Sequence, residues 1–325
     1  MSGHQQPRVP RPADPARATL SKAAAENFPV APFFLPSAWR DDLMALYGYA
    51  RLVDDIGDGD LDPGGADLRA LGVGPGSAGD RLAALDAFEA DLRRAFAAAG
   101  RPVPAADAAV AGEGPDGPPR HPLLRGLVPA VRRHALTPEP FFGLIAANRQ
   151  DQRVRRYASY GELLAYCELS ANPVGNLVLQ VSGTLTPERL RRSDAVCTGL
   201  QIVEHLQDVR EDLDRDRIYL PADDLRRFHV TEADLAAPAA SASVRSLIAY
   251  QADRARKLLL EGVPLVGSVR GRLRLLLAGF VGGGLAAVDA IATAGFDVLS
   301  GPPKPARTQL LRSVGAVMHR ARREG

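Results

Sequence analysis

Hydrophobic positions recur every three to four residues along most of the chain, the spacing of helices with one buried face. Residues 37–58, SAWRDDLMALYGYARLVDDIGD, carry Leu43, Tyr47 and Ala50 on such a stripe, with Ser37 placed as an N-cap. Residues 80–99 repeat the pattern through Leu82, Leu85, Phe88, Leu92 and Phe96. The same period predicts helices over 20–27, 122–136, 138–157, 222–236, 241–262 and 270–299. The first of these stops at Asn27-Phe28-Pro29, because a residue before proline is biased away from helical angles. Alternating β-branched runs are scarce. The chain therefore reads as all-α, a single helical domain over residues 18–300 with no linker between two cores. Residues 1–17, with four prolines and no periodicity, read as disordered. RPVPAADAAVAGEGPDGPPRHP reads as a surface insertion.

One predicted helix is interrupted by its own sequence. In residues 160–185, YGELLAYCELSANPVGNLVLQVSGTL, Pro173 removes a backbone hydrogen bond and predicts a kink near Leu169. Asn172, Gly175 and Asn176 put small and polar groups where an apolar helix would carry bulk.

Composition sharpens this picture without changing it. Hydrophobic residues make up 46% of the 325 and aromatics only 6%, as expected of a large helical core. A net charge of +2 with acids and bases interspersed gives no nucleic-acid signal. The two cysteines, Cys167 and Cys197, have no disulfide or metal-ligand spacing, which fits packing residues in a reducing cytoplasm. No run of about 18 residues reads as apolar enough to span a bilayer, and the N-terminus lacks a signal-peptide pattern. The tail, GPPKPARTQLLRSVGAVMHRARREG, alternates Leu310, Leu311, Val314, Val317 and Met318 with arginines. That suits either peripheral contact with anionic lipid or docking on the core.

The candidate chemistry lies in two groups of acids. Glu204, Asp208 and Asp212 fall at steps of four in QIVEHLQDVREDLDRDRIYLP, which stacks them on one helical face. Like charges so placed repel by about 0.2–0.5 kcal/mol per pair, so the face is either bathed in water or bridged by a cation. Asp54 and Asp58 form a second pair. At about 100° per residue Asp54 lies about 20° from Leu43, so it is expected to point inward, where a carboxylate needs metal, Arg or a proton. Two facing acidic helices suit Mg²⁺, which commonly bridges carboxylates to substrate phosphates. Arg51, one turn before Asp54, is placed to pair with a leaving diphosphate. Apolar helices would wall in the carbocation left behind. The amides of Asn172, Asn176 and Gln207 either hold a water beside that cation or satisfy the kinked backbone. Asp151, among the arginines of NRQDQRVRRY, reads as ion-paired or functional alike. Asp58, Asp60 and Asp62 are not an EF-hand, which would need Gly and Glu where this chain has Pro63 and Arg69. Gly282 to Gly284 follow no strand and lack dinucleotide-loop spacing.

The two acidic segments, RLVDDIGD at 51–58 and QDVRED at 207–212 followed by RIYLP, resemble the two aspartate motifs of the squalene and phytoene synthase family. The resemblance spans about residues 20–300 of the chain. Within the family, ENFPVAPFFLP, YGELLAYCELSANPVGNLVLQ and GGGLAAVDAIATAGFDVL are similar to the bacterial hydroxysqualene synthase branch of hopanoid biosynthesis, which converts presqualene diphosphate to hydroxysqualene. The resemblance implies an isoprenoid synthase fold around a central cavity, with Mg²⁺ and diphosphate between Asp54, Asp58, Asp208 and Asp212. It places Arg51, Tyr47, Val174, Gly175, Asn176, Gln201 and Glu204 along the substrate. It gives Tyr166 a pocket-lining role, with Asn172 and Gln207 among the catalytic candidates. Two departures stand out: Glu204 where the wider family commonly has Asn, and Gln207 where it commonly has Arg. The loss of positive charge at 207 favours a substrate with one diphosphate. The alternatives are a presqualene diphosphate, squalene or phytoene synthase, or a helical scaffold without catalysis.

Overall fold

The computed structural model describes residues 15–24, 30–74, 79–101, 103 and 117–324. Of the segment read as disordered, residues 1–14 lie outside the described residues. From Pro15 the chain is helical, as α1 (Pro15–Ser21) followed by a 3₁₀ turn at Lys22–Ala24. The expected stop at Phe28 and most of the Pro/Gly-rich insertion also lie outside the described residues.

Helix α2 (Ser37–Asp58) is the axis of the N-terminal half. Ser37 is its first helical residue rather than its cap, and the cap position is Pro36. Its buried stripe runs through Leu46, Tyr49, Val53 and Ile56, one turn apart at each step. This stripe packs on α4 (Arg81–Ala98), α5 (Pro122–His134) and α6 (Glu139–Asp151), after the short α3 (Ala66–Leu71). Their shared centre is aromatic. Tyr49 stacks on Phe88 at 5.2 Å and meets Phe141 edge-on at 4.9 Å, and its hydroxyl donates to the Phe141 carbonyl at 2.8 Å. That bond satisfies the one polar atom this ring brings into the core.

The expected kinked helix is in fact two, α7 (Tyr160–Ser170) and α8 (Asn172–Val181), broken at Ala171. Pro173 sits in the first turn of α8, where its missing N–H costs nothing because first-turn donors have no helical acceptor. The helix expected over 138–157 likewise stops at Asp151. Beyond it the chain runs extended, with a parallel bridge between Arg156 and Ile218.

The C-terminal half is built on α9 (Pro187–Gln207), which packs against α8 and, after α10 (Val209–Asp214), α11 (Ala222–Arg227) and α12 (Glu232–Leu235), against α13 (Ala242–Glu261). Gly175 makes the α8–α9 crossing close, since a Cβ there would stand 2.3 Å from Ser193 Oγ and 2.6 Å from Cys197 Sγ. Past α14 (Val263–Ser268), α15 (Gly271–Thr293) corrects the expectation that no stretch is apolar enough to cross a bilayer. Its mean hydropathy reaches 1.9, but 67% of that window is buried inside the protein. It is a core helix covered by the tail, which forms α16 (Arg307–Glu324). Val317 and Ala321 are buried in that contact. Gly282 lets the helices touch, because a Cβ there would lie 2.7 Å from the Val314 Cα. Replacing Gly282 by Val should therefore push α16 off its seat and cost about 1–3 kcal/mol of stability. Urea unfolding and limited proteolysis of the tail measure this, and an unchanged midpoint with a protected tail would contradict the packing.

Candidate active site

One cleft gathers the acids of both motifs. It encloses about 1060 Å³, counting the part open to solvent, and lies between the C-terminal ends of α2, α6 and α9, with α7, α10 and the segment to Tyr219 completing its wall. Asp54 and Asp58 face it from one side, and Glu204, Asp208 and Asp212 from the other. Helix α9 ends at Gln207, so the second set is not on one continuous helix. Asp208 is a non-helical junction, yet Asp208 N still donates to the Glu204 carbonyl and Asp212 N to that of Asp208, at 2.9 and 2.8 Å. The step of four thus survives the break.

Asp54 corrects one expectation. It lies beside the buried stripe of α2 rather than on it, and its side chain opens to the cleft. The acid that does pack inward is Asp55, held by Lys22 Nζ at 2.6 Å and Arg51 Nε at 2.9 Å. Asp55 therefore fixes Arg51 at the cleft wall. Asp54 takes a hydrogen bond from the buried Asn148 amide at 3.0 Å. Gly57 makes that possible, since any Cβ there would fall 1.9 Å from Asn148 Oδ1.

The cleft is strongly acidic, with eight carboxylates on its walls against three arginines. Although the Asp54 oxygens face open space, the protein around them desolvates the carboxylate. Burial pushes its pKa up to about 7, with Asp58 and, across the cleft, Glu204 adding to the rise against the pull of Asn148 and Arg51. Asp208 is pushed up to about 6 by burial and then by Asp212 and Glu211, while Lys304 opposes the rise. Asp58 is held by arginines from the opposite wall, Arg217 Nη1 at 2.7 Å and Arg215 Nη1 at 3.2 Å. Among the described residues no three acids, histidines or cysteines converge as a ready-made cation cage. The donors are nonetheless all oxygen, they stand on both walls, and two of them are held above their ordinary pKa. This set fits a hard divalent cation such as Mg²⁺ whose shell is completed by a ligand's phosphate oxygens.

Behind the acids lies a polar aromatic wall. Tyr166 Oη donates to Asp151 Oδ2 at 2.7 Å and Tyr219 Oη to Asp151 Oδ1 at 3.3 Å, while His205 stacks on Tyr219 at 3.7 Å. Burial raises the pKa of Asp151, and those of Tyr166 and Tyr219, so at neutral pH both phenols are hydrogen-bond donors. Gln201 Nε2 reaches His205 Nε2 at 3.2 Å.

Of the residues read from the sequence, Arg51, Asp54, Asp58, Tyr166, Gln201, Glu204, Asp208 and Asp212 all line the cleft. Tyr47, Asn172, Val174, Gly175, Asn176 and Gln207 do not. Gln207 donates to the Pro303 carbonyl at 2.5 Å, Asn172 accepts from Thr198 Oγ1 at 3.0 Å, and Asn176 accepts from Gln180 Nε2 at 2.8 Å. Asn172 thus ties α8 to α9, Gln207 ties the end of α9 to the segment before α16, and Asn176 is bonded within α8. Val174 is 45% exposed, and Gly175 serves the helix crossing. The sequence reading missed Asn148, His205, Arg215, Arg217 and Tyr219 as cleft residues, and gave Asp151 no partner among them. Arg217 and Tyr219 stand in the RIYLP that follows the second motif, which was the available signal.

Because Asp54 and Asp208 keep their protons to higher pH in the folded protein than in the unfolded chain, they make stability fall as pH rises from about 4 to about 7. Metal-free thermal melts across that range should show a shallower fall for the Asp54→Asn/Asp208→Asn variant than for the wild type. Mg²⁺ should raise the wild-type Tm more at pH 7.5 than at pH 5.5. Parallel pH profiles for the two proteins would contradict the assignment.

The squalene/phytoene synthase family model matches residues 21–312. A hydroxysqualene synthase from Rhodopseudomonas palustris is 31% identical over 246 residues, covering 75% of this chain and 72% of that protein. A phytoene synthase from Arthrospira platensis is 31% identical over 255 residues, covering 74% and 72%. A squalene synthase structure from Alicyclobacillus acidocaldarius aligns with a TM-score of 0.68 and 38% identity, over 88% of this chain and 94% of that one. A dehydrosqualene synthase in complex with ligand aligns with a TM-score of 0.72 over 94% and 95%, and at 19% identity shares the fold alone.

Proposed function

Since the chain belongs to the squalene/phytoene synthase family and has the all-helical isoprenoid synthase fold, we propose that it is a Mg²⁺-dependent hydroxysqualene synthase acting on presqualene diphosphate. The observation that carries the diphosphate chemistry is the pairing of Asp54 and Asp58 with Glu204, Asp208 and Asp212 across one cleft. The narrower choice of substrate and product is supported by relatives of 31–32% identity named hydroxysqualene synthase.

In this reading Asp54, Asp58, Asp208 and Asp212 would hold the cation, which would supply charge neutralisation to the departing diphosphate. Arg51, fixed by Asp55, and the cross-cleft Arg215 and Arg217 orient the same oxygens. The substrate's carbon–oxygen bond breaks, and the diphosphate leaves with the electron pair. The Tyr166–Asp151–Tyr219 wall presents hydroxyl and ring faces to the carbocation. After rearrangement, water forms the new carbon–oxygen bond and gives up one proton to the released diphosphate. With Gln207, Asn172 and Asn176 away from the cleft, the amides placed to hold that water are Gln201 and Asn148.

A head-to-head synthase joining two prenyl diphosphates is the second reading. It is favoured by phytoene synthases of similar identity, and by Arg215 and Arg217, which restore the positive charge that Gln207 lacks. Assays with presqualene diphosphate and, separately, farnesyl diphosphate discriminate the two. Presqualene diphosphate with Mg²⁺ and no reductant in ¹⁸O-water should give labelled hydroxysqualene. An unlabelled alcohol, squalene only with NADPH, or turnover of farnesyl diphosphate alone would contradict the proposal. Asp54→Asn and Asp208→Asn should each lower turnover at least about a hundredfold, the scale of losing several kcal/mol of transition-state stabilisation, with thermal stability at pH 7 retained.

A further inference from the structure

The tail and the helix beneath it form a lobe rich in arginine, whose two helices carry one acid each, Asp289 on α15, paired with Arg256, and Glu324 at the end of α16. Residues 262–288 contain Arg270, Arg272 and Arg274 and no acid, and residues 298–323 contain six further basic residues and no acid. The fold brings these two stretches together. α16 runs antiparallel to α15, since Gly282 meets Val314 while Arg274 Nη2 donates to the Ala321 carbonyl at 3.4 Å. The start of α15 and the end of α16 therefore share one end of the lobe, which gathers the exposed Arg270, Arg272, Arg322 and Arg323.

The helix dipole accounts for only part of this. It favours Arg322 and Arg323 in the last turn of α16 and disfavours Arg270, Arg272 and Arg274 at the start of α15. Among the described residues no carboxylate pairs with Arg270, Arg272, Arg322 or Arg323. Cations gathered in this way lower their mutual repulsion by facing an anionic partner. One turn after Arg272 on α15, Leu275 is 41% exposed.

We propose that this end of the α15–α16 lobe is a docking face for an anionic membrane surface, with the arginines on lipid phosphates and Leu275 entering the headgroup boundary. The apolar side of α16 is not the contact, because Val317 and Ala321 are buried against the protein. Removing the tail would therefore uncover α15 rather than simply delete an anchor. The exposed Leu275 favours a lipid surface over nucleic acid, which offers no apolar layer to receive it. The face stands apart from the residues that line the cleft, so its test does not depend on the reaction assigned to the enzyme.

The experiment is vesicle co-sedimentation of the full chain at 0.1 M salt, with phosphatidylglycerol/phosphatidylcholine vesicles compared with pure phosphatidylcholine. The wild type should bind the anionic vesicles alone, and weaken as salt rises. A basic residue at such a surface is worth about fivefold in affinity, so Arg270→Ala/Arg272→Ala/Arg322→Ala/Arg323→Ala should lose at least about a hundredfold with an unchanged melting temperature. Leu275→Ser should weaken binding without altering its salt dependence. The control Arg210→Ala/Arg226→Ala, outside the lobe, should bind as the wild type does. No binding to anionic vesicles, binding untouched by the fourfold substitution, or tighter binding to a phosphodiester oligonucleotide than to vesicles would overturn the proposal.

Discussion

Carboxylates brought face to face across a desolvated cleft are the constraint on which this structure turns. Asp54 and Asp58 repel each other along α2, Asp208 and Asp212 do so across the α9–α10 junction, and Glu204 adds to the burden on Asp54 from the opposite wall. No fold gathers such charge for stability, because each acid loses hydration as its neighbours approach. The arrangement is tolerable only when protons, arginines or cations occupy it. Arg215 and Arg217 serve Asp58 in this way. If Asp58 took part in holding a cation, Arg215 and Arg217 would remain at the same cleft wall to pair with a bound anion.

The packing exists to hold those acids where they repel. The aromatic centre of Tyr49, Phe88 and Phe141 locks α2 against α4 and α6. Gly57 lets α6 come close enough for Asn148 to hold Asp54. Asp55, one residue along, faces the other way and fixes Arg51. Adjacent acids on α2 thus have opposite duties: Asp54 is open to the cleft, and Asp55 is sealed by two cations. On the far side α9 is gripped by α8 and α13, so the helix end carrying Glu204 is as firmly placed as the core itself.

Much of this was legible in the sequence. The helical period located α2, α4, α5 and α13 closely, and the start of α15 but not its end, which falls at Thr293 rather than at residue 299, because each buries a continuous apolar stripe that only a helix aligns. Step-of-four acids identified both walls of the cleft, and the family's two motifs carried the same residues. What escaped depends on tertiary approach. Asp54 was expected on the buried stripe because Leu43, Tyr47 and Ala50 flank it on the helix, but the packed stripe is centred on Tyr49 and Val53. Asn172, Asn176 and Gln207 looked available because sequence does not show that Thr198, Gln180 and Pro303 bond them. His205 and Tyr219 stack across 14 positions of chain, a pairing no periodicity encodes. The tail's arginines were visible as a run, but their meeting with those of α15 required the antiparallel contact at Gly282.

The central claim is that the acids of α2 and those of the α9–α10 junction hold one cation–diphosphate unit between them. The most direct measurement is the thermal stabilisation by Mg²⁺ plus inorganic diphosphate in the wild type, Asp54→Asn, Asp208→Asn and the double variant. Ligand at a hundred times its dissociation constant stabilises by about 2.7 kcal/mol. The account predicts that this gain appears in the wild type, is largely lost in either single variant, and falls little further in the double, because each wall is useless without the other. Independent, additive losses, or a full shift retained in one single variant, would show that the two walls do not share a ligand.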